Sequence, residues 1–124
     1  MMTGIVTANR EAVLSLKVED VNGVNQEIDT VIDTGYNGFL TLPADFVATL
    51  GLISYGQRIV TLGDGNDVLM QVYEVAIVWD DQTRLVQVLA TDGEAVLGMS
   101  LLYGYRVILN VIDGGFVTIE KKMP

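Results

Sequence analysis

The sequence contains no cysteine and no histidine. It therefore supplies no thiolate nucleophile, no disulfide, no Ser-His pair and none of the usual soft zinc ligands. Any hydrolysis it performs must run on carboxylates, hydroxyls, lysines or a metal held by oxygen. Cations are scarce: 7 Lys and Arg against 16 Asp and Glu give a formal net charge of −9. Such a surface repels a polyanion, so nucleic acid is not an expected partner. The acidic residues are spread along the chain rather than gathered in a tail, as on an ordinary solvated surface. Long apolar runs are also missing, since charge or glycine breaks each one well short of the roughly 18 residues of a membrane span. The N-terminus has no basic region followed by an apolar run, which together with the missing span predicts a soluble, cytoplasmic protein without membrane contact.

Half of the 124 residues are hydrophobic, enough for one compact domain covering residues 1–124. Leu14, Leu16 and Val18 alternate with Ser15, Lys17 and Glu19, the two-residue period of a half-buried strand, and Asn22-Gly23 then tolerates positive φ. A second strand, Ile28 to Ile32, ends at Asp33-Thr34-Gly35, where small residues replace apolar ones and the chain turns. Between Leu42 and Gly51 the period changes. Leu42, Phe46, Val47 and Leu50 share one helical face, with Pro43 suited to the first helical position and Gly51 to a C-terminal cap.

From Arg58 to Ala90 the pattern is again of strands: Ile59 to Leu62, a Gly63-Asp64-Gly65-Asn66 turn, Val68 to Trp79, an Asp80-Asp81-Gln82 turn, and Arg84 to Ala90. The Val68 to Trp79 run is apolar on both parities apart from Gln71, Tyr73 and Glu74, which predicts cover on both faces for much of its length. Ala95-Val96-Leu97-Gly98 follows, then a short helix from Met99 to Tyr103. Strands Arg106 to Ile112 and Phe116 to Glu120 are joined by Asp113-Gly114-Gly115. The expectation is a mostly β fold, a small closed or folded-over sheet with one or two short helices. No metal or cofactor is expected. Asp64, Asp67, Asp80 and Asp81 crowd two turns, but their spacing does not match an EF-hand loop.

Val31-Ile32-Asp33-Thr34-Gly35 resembles the signature of retropepsin-type aspartic peptidases, two apolar residues followed by Asp-Thr-Gly. Further pieces follow in that family's order: the glycine-rich tip Gly63 to Asn66, two strands, Val96-Leu97-Gly98 and a short helix from Met99. The resemblance runs from Glu11 to Glu120 and is to a bacterial-type single-domain relative of the retroviral enzymes. It implies a small closed β-barrel of the retropepsin-like acid protease type, with Asp33 as the catalytic carboxylate. It implies that the Thr34 hydroxyl bonds across a dimer axis and that Gly35 lets backbone pass close to the carboxylates. Gly63, Asp64, Gly65 and Asn66 correspond to the flap, and Val96, Leu97 and Gly98 to the element packed beneath the catalytic loop.

The chemistry of the signature needs two aspartates. Carboxylates about 3 Å apart cannot both ionise, so the pair offers one acid and one base to a water attacking a peptide carbonyl. The chain has one Asp-Thr-Gly, so a homodimer is expected, with a second copy supplying the second aspartate and a peptide or protein as substrate. Two residues depart from the viral pattern. Tyr36, followed by Asn37-Gly38, stands where viral enzymes carry Ala or Ser, and Met99 stands where they often carry Arg. Tyr36 leaves open an alternative, a catalytically inactive dimeric β-domain that binds a peptide or partner segment in the same cleft.

Overall fold

Strand patterning in the sequence becomes one ten-stranded sheet in the computed structural model, which describes residues 1–122. In chain order the elements are β1 (Met2–Val6), β2 (Ala12–Glu19), β3 (Asn25–Ile32), β4 (Leu40–Pro43), α1 (Ala44–Leu50), β5 (Gly56–Thr61) and β6 (Asp67–Trp79). Then come β7 (Gln82–Thr91), β8 (Val96–Leu97), α2 (Met99–Leu102), β9 (Tyr105–Leu109) and β10 (Phe116–Lys121). Spatial order is β5-β6-β7-β4-β8-β3-β2-β1-β10-β9, and β6 also pairs with β2 through Lys17↔Val78 and Val18↔Ile77. That added pairing closes β6, β7, β4, β8, β3 and β2 into a ring, which removes their free edges. Inside lie Leu16, Val18, Leu40, Val75, Ile77 and Leu97, all essentially without solvent contact. The fold is thus mostly β with two short helices, and no helix among the described residues is long and apolar enough to cross a membrane.

The structure redraws several boundaries. Leu42 belongs to β4 and not to the helix, because a residue before proline is pushed out of the α region and Leu42 instead pairs with Ala90 of β7. Pro43 is the N-cap of α1 at φ −57° and ψ 137°, one position earlier than expected, while Gly51 closes the helix at φ 71°. The Val68 to Trp79 run is not covered on both faces throughout. Val68 and Leu69 are exposed, and regular burial begins at Val72, where β6 starts to pair with β7. Before that point β6 pairs with β5 alone, as a two-stranded ribbon projecting from the ring. The last hairpin is shorter than expected. Both the backbone N–H and the side-chain amide of Asn110 donate to the Phe116 carbonyl, ending the ladder and leaving Val111 and Ile112 exposed in the turn. β1 was not legible in the sequence: Gly4 interrupts its pattern, yet a Cβ there would collide with the Val13 carbonyl, so only glycine lets β1 lie along β2.

Asp20 shapes the β2–β3 hairpin. Its carboxylate accepts the N–H groups of Asn22 and Val24, each at 2.9 Å, and the Gln26 side-chain amide at 3.1 Å. The bond from Val24 is the main reason its carboxyl is held below the usual carboxylate range; partial desolvation opposes it and the other bonds assist. A depressed folded-state value adds stability that is complete above the unfolded value and fades as pH falls through the folded one. Asp20→Ala should therefore lower the thermal midpoint at neutral pH, and the gap from wild type should narrow below about pH 4. Thermal melts of both proteins across that range check this, and a gap independent of pH contradicts it.

Candidate active site

Residues Thr30 to Gly35 are positioned from below by β2 and from the side by β8. The Thr30 hydroxyl, fully buried, donates to the Leu14 carbonyl at 2.8 Å. Val31 and Ile32 run parallel to Val96 and Leu97, and the Val31 and Asp33 N–H groups donate to the Ala95 and Leu97 carbonyls, each at 2.9 Å. β3 ends there. The Gly35 N–H donates to Asp33 Oδ1 at 2.8 Å and the Tyr36 N–H to the Asp33 carbonyl at 3.2 Å, closing a tight turn that leaves Asp33, Thr34 and Gly35 exposed. Among the described residues the Thr34 hydroxyl has no hydrogen-bond partner within the chain.

Beyond the turn, the chain is tied to the start of α2. The Met99, Ser100 and Gly98 N–H groups donate to the carbonyls of Tyr36 (2.8 Å), Gly38 (3.1 Å) and Phe39 (3.0 Å), and the Ser100 hydroxyl donates to the Asn37 carbonyl. No side chain caps α2, so these loop carbonyls satisfy the donors that its first turn leaves free. The bulk of Tyr36 is accommodated by two glycines. A Cβ on Gly38 would meet the Tyr36 hydroxyl, and one on Gly98 would meet the Gly38 carbonyl oxygen and, at 2.6 Å, Tyr36 Cδ2. Burial raises the phenol's pKa and the nearby Arg58 charge partly offsets this, so Tyr36 is a neutral phenol across the physiological range.

The β5–β6 ribbon arches over this turn. At its tip the Leu62 N–H donates to the Asn66 carbonyl at 2.8 Å, and the Asn66 N–H donates to Asp64 Oδ1 at 2.9 Å. Gly65 adopts φ 86°. Between ribbon and turn lies an open cavity of about 620 Å³. Asp33, Gly35 and Tyr36 line it from one side, Val60, Leu62 and Gly63 from the ribbon, and Met70, Leu89, Glu94 and Val96 complete the wall. The structure thus brings Asp33, Gly35, Gly63 and Val96 around one space. Thr34 does not line it, nor do Asp64, Gly65 and Asn66, while Leu97 and Gly98 are buried beneath the turn. Sequence reasoning did not single out Met70, Leu89 or Glu94 as cavity residues.

No protein-family model and no curated protein sequence matches the chain. Among solved structures it is similar to a retropepsin-like aspartic protease from Rickettsia conorii, with a TM-score of 0.61, 17% sequence identity, and 97% of this chain and 89% of that one covered. It is also similar to the foamy viral protease-reverse transcriptase solved with an RNA/DNA hybrid, with a TM-score of 0.54, 19% identity and 76% of this chain covered. In that case it spans 12% of the other chain. The fold is therefore retropepsin-like.

The packing of Gly98 is open to direct measurement. Its missing Cβ faces backbone, which cannot swing aside, whereas a Cβ on Gly63 meets nothing within 4 Å. Gly98→Ala should lower unfolding stability by about 3 kcal/mol, in the range of overpacked interiors. Gly63→Ala should change it by less than about 0.5 kcal/mol, as surface substitutions do. Denaturant melts of the two variants giving equal losses would refute the assignment.

Proposed function

We propose that the chain is an aspartic endopeptidase acting as a homodimer, with Asp33 of each copy forming the catalytic pair. The observation that carries this reading is Asp33 exposed at the end of β3 and facing a ribbon-covered cavity in a retropepsin-like fold. Because one copy contributes one such aspartate, a two-fold axis beside Asp33 is needed to bring the second within sharing distance of a proton. Met99 and Tyr103, 44% and 80% exposed at the two ends of α2, are apolar surface that a second copy would cover.

In this mechanism the ionised Asp33 accepts a proton from water as the oxygen attacks the peptide carbonyl, and the protonated Asp33 donates to the carbonyl oxygen. The tetrahedral intermediate then collapses as a carboxyl group protonates the departing amine. The two apparent pKa values belong to the pair and bound the active pH range from both sides. The ribbon of β5 and β6 serves as the flap, admitting an extended peptide and excluding water during reaction. Thr34 hydrogen-bonds its counterpart across the axis and holds the two turns in register.

Asp33→Asn should lower turnover on the order of 10³-fold or more, the scale for removing a group that acts directly on the reacting atoms. Specific activity of the wild type should fall on dilution as dimers dissociate. A pepstatin-type transition-state mimic should raise the wild-type melting temperature and leave that of Asp33→Asn unchanged. Equal cleavage by wild type and variant would overturn the proposal. A second reading, a dimeric β-domain that holds a peptide in the cavity without cutting it, is favoured by Tyr36 in the cavity wall. Peptide retained by the wild type with no product formed would select it.

A further inference from the structure

Charge is unevenly distributed among the surface cavities. Carboxylates line three of them: Asp80 and Asp81 beside β1, where Lys17 and the N-terminal ammonium of Met1 offset them, Asp45 and Asp92 beside α1, and Asp33 and Glu94 in the cavity under the ribbon. Two further cavities hold a guanidinium and no carboxylate, and both adjoin the Asn37–Phe39 segment. The first, about 210 Å³, shares Tyr36 and Leu89 with the Asp33 cavity, so the two adjoin, and Arg58 of β5 lies in its wall.

Arg58 is held in place without being neutralised. Its Nη1 donates to Gln87 Oε1 at 2.8 Å, and Gln87 Nε2 in turn donates to the Tyr55 hydroxyl at 3.4 Å. Among the described residues it forms no ion pair, although Glu74 sits opposite Gln87 on β6. In a chain of net charge −9, an unpaired, oriented cation in the adjoining cavity is a feature that ordinary surface solvation does not require. In the neighbouring cavity Arg84 lies over the Phe39 ring at 5.7 Å, adding a second positive charge on the other side of the same segment.

We propose that the Arg58 cavity is a subsite for the carboxylate of an aspartate or glutamate side chain, carried by an extended peptide whose central bond lies over Asp33. The inference rests on the reading of the ribbon-covered cavity as a peptide cleft and adds a substrate class to it. A guanidinium already oriented by Gln87 gives charge-assisted hydrogen bonds to a carboxylate, and covering the cleft with peptide removes the water that would screen them. The general negative charge of the protein disfavours acidic peptides elsewhere, so the preference should be confined to one position along the peptide.

The test uses peptides identical except for one residue, Glu, Gln or Lys, moved position by position on either side of a central apolar pair. Binding is read by fluorescence anisotropy, and product formation is followed separately. At one position Glu should bind about fivefold more tightly than Gln, the upper end for a solvent-accessible ion pair, and Lys more weakly than either. Arg58→Gln should erase the ratio, Arg58→Lys should retain part of it, and salt near 1 M should shrink it in the wild type. No binding, no Glu preference at any position, or a preference unchanged in Arg58→Gln overturns the inference. Glu-selective binding without product would remove the peptidase reading and keep the subsite, whereas product without Glu selectivity would do the reverse.

Discussion

Two sets of backbone groups would be left unsatisfied if each segment stood alone: the N–H groups opening α2 and the carbonyls of the turn after Asp33. They satisfy one another through Tyr36, Gly38 and Phe39 on one side and Gly98, Met99 and Ser100 on the other. This exchange fixes how β3 ends, because the Asp33 N–H donates one residue earlier in the same ladder, to Leu97. It also explains the glycines: Gly98 brings the two backbones close enough to bond, and Gly38 admits the Tyr36 ring into the space that remains. An aromatic residue after Asp-Thr-Gly is therefore compatible with a tightly hydrogen-bonded turn.

Ring closure through β2 and β6 determines what is left outside. The strands that close the ring bury their apolar residues in a common interior, while the early part of β6 and all of β5 leave it as a ribbon with a single pairing. Ile59, Leu62 and Leu69 on that ribbon are exposed because no second layer covers them. A two-stranded ribbon of this kind has little of its own to hold it rigid. The same geometry leaves an apolar cavity wall of Val60, Met70, Leu89 and Val96 facing the carboxylate of Asp33.

The electrostatics follow a different logic from the fold. Most acidic groups lie on solvated turns and edges, where they keep the chain dispersed without shaping its interior. Arg58 and Arg84 stand out by position, since both flank the loop that follows Asp33 and neither forms an ion pair among the described residues. Tyr36, a neutral phenol whose pKa burial raises further, lines both cavities without adding a charge of its own. Glu94 thus lies in the wall of the Asp33 cavity and Arg58 in the wall of the one adjoining it.

By itself the sequence determined the β class, the main hairpins and the position of the Asp33 turn. Each is encoded locally, in two-residue alternation at Leu14 to Val18, in Asn22-Gly23 and Gly63 to Asn66, and in the change from apolar to small residues at Asp33. The tertiary structure alone decided which strands close the ring, that Leu42 is strand rather than helix, and that β1 exists at all. These depend on pairing with residues distant in the chain: β6 with β2, Leu42 with Ala90, and Gly4 against Val13. The walls of the two cavities were likewise hidden, because Met70, Leu89, Glu94 and Arg58 come from separate strands and loops. Which of their side chains share a space is set by sheet register and curvature, and local patterning carries no record of either.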